Sequence, residues 1–278
     1  MRAWLAVIGS LAALTAAASA GAATRPSVLV IGDSVATGPF WHGLPVMQKN
    51  LDVLWDVAVC RTIGGISCPY DGQRPTTLLQ DVAARRTVPS TVVVVAGYND
   101  PESSFSAEVD QAMSALVDAG ANNVIWFTLR EAQTQYATMN KELAEAQMRW
   151  PQLVLVDWNA ASETKPWFFQ SDGEHLTYVG GAAMAHMAHA AVTEIFDPLR
   201  VSPVPLWLHA GRHYTLRLHA SGGTQPYRWR VESGRPPRFF HLQPNGSLTA
   251  TARKGAGPVW LTVTDADGLT ASLPILTS

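Results

Sequence analysis

The stretch Val28-Leu29-Val30-Ile31-Gly32-Asp33-Ser34 decides how the rest of the chain is read. Four consecutive apolar, mostly β-branched residues predict a strand buried on both faces, the pattern of a parallel sheet covered by helices. Gly-Asp-Ser then turns the chain out of the sheet and leaves Ser34 at the strand's carboxyl end. Ligands bind at that edge of open α/β sheets, so a serine held there is placed to be a nucleophile. A hydroxyl alone is a poor nucleophile and Gly-Asp-Ser is a common turn, so the reading needs a base, a group to orient it and oxyanion donors elsewhere. Asp33 is the structural member of the pair, since its side chain can hydrogen-bond the turn it sits in.

Those groups occur downstream. Ser171-Asp172-Gly173-Glu174-His175-Leu176-Thr177 puts a carboxylate three residues before an imidazole, ahead of a helical run from Tyr178. That spacing lets Asp172 reach Nδ1 of His175 and leaves Nε2 free to take the Ser34 proton. Between the two segments, Val92-Val93-Val94-Val95-Ala96-Gly97-Tyr98-Asn99-Asp100 is a second buried strand running into a glycine turn. It brings Asn99 to the same sheet edge as Ser34, with an amide able to donate to a developing oxyanion.

On these three blocks the sequence resembles the SGNH (GDSL-type) hydrolase family: Gly32-Asp33-Ser34, Gly97-Tyr98-Asn99-Asp100, and Asp172-Gly173-Glu174-His175-Leu176, in the family's order. The resemblance implies Ser34 as nucleophile, His175 as base, Asp172 as its orienter, and an oxyanion hole from the Ser34 backbone N–H and Asn99. It also implies a glycine N–H after the second strand. Gly64 or Gly65 can serve, or the chain aligns at Cys60-Arg61.

The chain begins with Arg2, an apolar run from about Leu5 to Ala18, and small residues ending Ala18-Ser19-Ala20. Residues 1–23 read as a secretory signal peptide, cleaved after Ala20 or Ala22, with an apolar part too short for a comfortable membrane span. No second long apolar run follows, so the mature chain is expected to be secreted or held in the cell envelope by contacts alone. Cys60 and Cys68, close together in a loop-like stretch of an exported protein, are expected to form a disulfide.

Net charge is only −2, but it is unevenly spread. Thr24–Arg200 carries 19 acidic and 11 basic residues, whereas Val201–Ser278 carries 3 and 8, a contrast that suggests two domains. The first alternates strands (Ser27 to Ile31, Val53 to Val59, Thr91 to Ala96, Asn123 to Leu129, Leu153 to Asp157) with helices (Thr76 to Arg86, Ser106 to Ala119, Thr134 to Trp150, Tyr178 to Phe196). This predicts an α/β, flavodoxin-like three-layer sandwich with a mainly parallel five-stranded sheet over residues 24–198. Prolines at 198, 203 and 205 mark a linker over 199–205. Residues 206–278 show short alternating segments between turn signals such as Pro244-Asn245-Gly246 and Asp265-Ala266-Asp267-Gly268, which predict a small all-β sandwich. The runs from Ala220 to Trp229 and Val263 to Gly268 resemble the Ig-like or cadherin-like modules appended to exported bacterial proteins.

Several features have plainer readings. Trp41, His42 and Trp167 flank the site and offer faces on which a sugar ring can stack, though aromatics near a sheet edge are more often packing. His186 and His189 share helical spacing; without a third ligand they read as polar residues on a helix face, and no metal or organic cofactor is expected. Asn245-Gly246-Ser247 fits a glycosylation sequon but reads as a hairpin turn. Arg212, Arg217, Arg228, Arg230, Arg235 and Arg238 either meet an anionic cell-wall polymer or dock on the acidic first domain. No motif points to nucleic acid.

The sequence therefore predicts a secreted serine esterase acting through an acyl-enzyme, on carboxylic and especially acetyl esters of carbohydrates or cell-wall glycans. Two alternatives stand beside it: an O-acyltransferase using the same three residues, and a surface polymer-binding protein with a vestigial hydrolase domain.

Overall fold

In the computed structural model, strand β1 (Ser27–Gly32) runs between β2 (Asp52–Val57) and β3 (Thr91–Val95). With β4 (Asn123–Phe127) and β5 (Leu153–Val156) they form a five-stranded sheet in the order β2-β1-β3-β4-β5, parallel at every pairing. The structure describes residues 25–202, 204–234, 236, 240–253 and 258–278; the segment expected to be a signal peptide, Arg235 and Arg238 lie outside them.

Helices cover both faces of the sheet. From β2 onward the crossovers run in one direction, so α3 (Leu78–Arg85), α4 (Glu102–Asp118) and α5 (Thr134–Arg149) share a face, α4 packing on both neighbours. The opposite face holds α1 (Thr37–His42), α2 (Leu44–Met47) and α7 (Tyr178–Phe196), with α7 packed on both short helices. A five-residue helix, α6 (Trp158–Ser162), follows β5. Being covered twice, the central strands are apolar throughout: Val28, Leu29, Ile31, Val92, Val93 and Val94 have no solvent-accessible surface.

Several boundaries differ from the sequence expectation. Helix α4 starts at Glu102, four residues before Ser106, because Pro101 is extended and fits the N-terminal boundary of a helix. Strand β2 ends at Val57, where residues 58–68 leave the sheet as a loop closed by the Cys60–Cys68 disulfide. Helices α1 and α2 occupy a stretch in which Gly38, Pro39, Gly43 and Pro45 obscure any helical period.

After α7 come two sheets stacked face to face. One runs β10 (Arg228–Ser233), β13 (Val259–Thr264), β14 (Thr270–Thr277), β7 (Leu206–Leu208), and the other β11 (His241–Leu242), β12 (Ser247–Thr251), β8 (His213–Arg217). Trp229, Leu248, Leu261 and Leu273 fill the space between them. Within the segment read as a linker, β6 (Arg200–Ser202) pairs antiparallel with β9 (His219–Ser221), so those residues belong to the β module.

The two parts touch. Gly223 N–H donates to the carbonyl of Asp197 at 2.6 Å. His189, read from the sequence as a polar residue on a helix face, is instead buried at the contact. Its Nδ1 lies 2.7 Å from Asp267 Oδ2 in the β13–β14 turn, and its Nε2 lies 2.8 Å from the carbonyl of Lys49. His186 Nδ1 stands 3.5 Å from the other Asp267 oxygen.

Candidate functional site

Strand order reverses at β1, between β2 and β3, so the turns after β1 and β3 flank the crevice at which α/β sheets bind ligands. Ser34 follows β1 and Asn99 follows β3. The two turns are fastened together by Asp33, whose Oδ1 accepts from Val35 N–H at 2.9 Å and whose Oδ2 accepts from Gly97 and Tyr98 N–H, each at 3.2 Å. Complete burial pushes the Asp33 carboxyl up to about 7, against those three N–H groups, which favour ionisation. Gly32 is required by space: a Cβ there would fall 2.2 Å from the carbonyl oxygen of Val95.

The third segment reaches the crevice through α7. Helices α1 and α7 approach so closely that a Cβ on Gly181 would lie 2.5 Å from the carbonyl oxygen of Gly38. Ahead of α7, residues 168–177 form a loop closed on itself. Gln170 N–H donates to the His175 carbonyl at 2.7 Å, Thr177 N–H to the Phe168 carbonyl at 2.9 Å, and the Thr177 side chain caps α7 at Gly180. Glu174 ties this loop to α5, accepting from Tyr136 Oη at 2.8 Å.

The outcome is a continuous run of hydrogen bonds. Ser34 Oγ is 2.9 Å from His175 Nε2, and His175 Nδ1 is 2.8 Å from Asp172 Oδ2. Since Asp172 can only accept, the assigned tautomer carries its proton on Nδ1, leaving Nε2 to accept from the Ser34 hydroxyl. Asp172 Oδ1 accepts from Glu174 and His175 N–H at 2.9 and 3.0 Å. What burial it has works against ionisation, but these N–H groups and the ring outweigh it and hold the carboxyl below the usual carboxylate range. Ser34 is 8 % exposed, while the side chains of His175 and Asp172 are 39 % and 48 % exposed, so the site is open on the imidazole side.

Asn99 Nδ2 donates to the Arg61 carbonyl at 3.0 Å, which fixes the amide on the loop after β2 and leaves its second hydrogen available. Arg61 is buried and holds that loop, donating to the carbonyls of Asp56 and Gly32 and pairing with Asp56 and Asp81. A Cβ on Gly64, in the same loop, would meet Leu79 Cδ1 of α3 at 3.0 Å and Glu108 Cγ of α4 at 3.3 Å. In the same loop Cys60 adopts a left-handed φ of 69°.

Trp41 and Trp167 are 69 % and 60 % exposed, and the His42 ring lies 5.1 Å from that of Tyr178, itself 69 % exposed. Thr177 Oγ1 donates to the Trp167 carbonyl, which sets that turn beside the start of α7. Sequence reasoning missed Tyr178, Glu174 and Tyr136. The first two stand within three residues of His175, and that proximity was the available signal. Among the described residues no cluster of three or more His, Cys, Asp or Glu side chains is disposed to hold a metal ion, and no helix is long and apolar enough to cross a membrane.

No family model matches the sequence, and no curated protein does. Several solved structures are similar to part of the chain. The C-terminal catalytic domain of peptidoglycan O-acetyltransferase A from Streptococcus pneumoniae, solved as a methylsulfonyl adduct, is 20% identical, over 62% of this chain and 94% of that one, with a TM-score of 0.45. A psychrotrophic esterase, EstA, from Pseudoalteromonas sp. is 11% identical over 61% and 98%, with a TM-score of 0.46. The aryl esterase of M. smegmatis is 11% identical over 60% and 98%, also at 0.46.

Proposed function

We propose that this chain is an exported serine esterase of the SGNH type, cleaving acetyl or similar short acyl esters on carbohydrates. The observation that carries the reading is the hydrogen-bonded run from Ser34 Oγ through His175 to Asp172 at the sheet's switch point. Ser34 Oγ attacks the ester carbonyl while Nε2 of His175 takes its proton, and Asp172 stabilises the imidazolium that forms. The oxyanion is met by the free hydrogen of Asn99 Nδ2 and by the Ser34 backbone N–H. Nε2 then protonates the departing alcohol, leaving the acyl group on Ser34. Water, deprotonated by the same nitrogen, attacks this acyl-enzyme, and the carboxylic acid leaves as Ser34 regains its proton.

A carbohydrate alcohol is supported by the openness of the site and by the exposed rings of Trp41, Trp167 and Tyr178, which offer stacking faces. Export is supported by the N-terminal pattern of charge, apolar run and small residues, and by the Cys60–Cys68 disulfide. The test compares wild type with Ser34→Ala on 4-nitrophenyl acetate and on an acetylated polysaccharide, following released acetate. Wild-type turnover with the variant reduced by several decades is the expected result. A Ser34→Ala protein as active as wild type would sink the proposal.

A further inference from the structure

The β module turns one flat face to solvent that its own core does not explain. In the sheet β10-β13-β14-β7, alternate residues point inward: Trp229 on β10, Val259, Leu261 and Val263 on β13, Leu273 and Ile275 on β14, and Leu208 on β7, all buried. The intervening residues face out, and two of them are tryptophans, Trp260 and Trp207, 40 % and 54 % exposed. Register fixes their separation. Trp260 pairs with Pro274 and Trp207 with Leu276, so the two lie one on each side of β14 and are offset by two residues along it. That places them roughly 10 Å apart across the strands and 7 Å along them.

Half-buried Pro274 and Leu276 of β14 lie between the indoles, and polar side chains stand on the β10 side. Arg228 and Arg230 project from β10, exposed and without an ion-pair partner among the described residues. Glu232 is occupied by hydroxyls, accepting from Thr262 at 2.6 Å and Ser272 at 3.2 Å. The turn that meets the α/β domain holds Asp267, beyond Thr264, whereas Trp260 lies toward the opposite end of β13, so docking leaves the indoles uncovered.

From this arrangement we infer that the outer face of β10-β13-β14-β7 binds an anionic pyranose polymer. Successive sugar rings stack on Trp260 and Trp207, and the polymer's carboxylates meet Arg228 and Arg230. Two flat indoles on a rigid sheet, separated by about the reach of a disaccharide, offer successive stacking faces to a chain of rings. The unpaired guanidinium groups select negative charge. The module would thus hold the enzyme on its polymer while the triad works on ester groups nearby.

The test is affinity gel electrophoresis of the full chain through gels containing polygalacturonate, neutral hydroxyethylcellulose or poly(glycerol phosphate), which is anionic but has no rings. Polygalacturonate should retard the wild type most. Trp207→Ala/Trp260→Ala should bind it about tenfold more weakly or worse, and Arg228→Gln/Arg230→Gln should lose the salt dependence of binding. Ser34→Ala should migrate as wild type does, which separates binding from hydrolysis. An unchanged circular-dichroism spectrum and unchanged resistance to proteolysis of the tryptophan variant would show that its β module is folded. Equal retardation of wild type and tryptophan variant by polygalacturonate, no retardation of wild type in any gel, or retardation by poly(glycerol phosphate) alone would each overturn the inference.

Discussion

Asp100→Asn should make the protein more stable at alkaline pH and flatten the dependence of its stability on pH. Asp100 is 3 % exposed, beside Glu108 of α4, itself 9 % exposed. Its Oδ1 accepts from Ile63 N–H at 2.7 Å, while Asp100 Oδ2 and Glu108 Oε2 are both buried without a donor among the described residues. Burial first, then the hydrogen bond and charge of Glu108, push the Asp100 carboxyl up to about 8, from 3.8 in an exposed chain. Between about pH 4 and pH 8 the folded protein therefore holds a proton that the unfolded chain has lost. A folded-state value raised in this way gives stability that is complete below the unfolded value and drains away as pH rises through the folded one. One proton corresponds to a loss of about 1.4 kcal/mol per pH unit across that window.

An asparagine keeps an oxygen for Ile63 N–H and offers Glu108 an amide hydrogen that does not titrate. The variant should lose one proton's worth of slope and, by pH 8, exceed wild type by about 1–3 kcal/mol, the usual cost of a buried polar group without a partner. Some slope should survive, because Asp33, raised to about 7, drains stability over the lower part of the same range. Urea unfolding followed by tryptophan fluorescence at half-unit steps from pH 5 to 8.5 measures it. Parallel curves for the two proteins would refute the idea that Asp100 keeps its proton in the folded protein.

Other perturbations give distinct readouts. Asn99→Ala should lower turnover of 4-nitrophenyl acetate by about two to three decades with the fold intact by circular dichroism, since it removes an oxyanion donor together with one bond to the Arg61 carbonyl; a change of twofold or less would exclude that role. His189→Ala should strip Asp267 of its buried partner at the contact between the two parts, costing about 3 kcal/mol or more and exposing the residue 197–205 region to proteolysis, with esterase turnover largely kept. Asp267→Asn should do the same in weaker form. Reducing the Cys60–Cys68 disulfide should cost about 2.5 kcal/mol by loop-closure arithmetic and lower activity, because the loop it closes receives the Asn99 amide.

What the sequence made legible is what repeats or what chemistry constrains. Runs such as Val92–Val95 announce a doubly covered strand because both faces must be apolar. A three-residue gap suffices to bring Asp172 to His175, since the intervening turn can close through the Asp172 carboxylate itself. Short elements escaped: α1 and α2 span six and four residues, and β6, β7 and β9 three each, too few for a period to show. So did distant contacts that no motif announces, such as His189 with Asp267, 78 positions apart. Nothing at either position sets it apart from a helix-face histidine or a turn aspartate.

Carboxyls hold the site's turns in place. Asp33 links the β1 turn to the β3 turn, Asp100 links the β3 turn to the loop after β2, and Glu174 links the loop of His175 to α5. Each of Asp33 and Asp100 is costly where it stands, as its raised value shows, and each accepts from backbone N–H groups of another segment. Apolar residues of similar size would relieve the cost of burial but leave those N–H groups unpaired and the three turns free to drift. A one-ångström drift matters to proton transfer far more than to folding. The sequence thus gives up stability at the places where segments remote in the chain must meet, and the predicted gain from Asp100→Asn measures what one such junction costs.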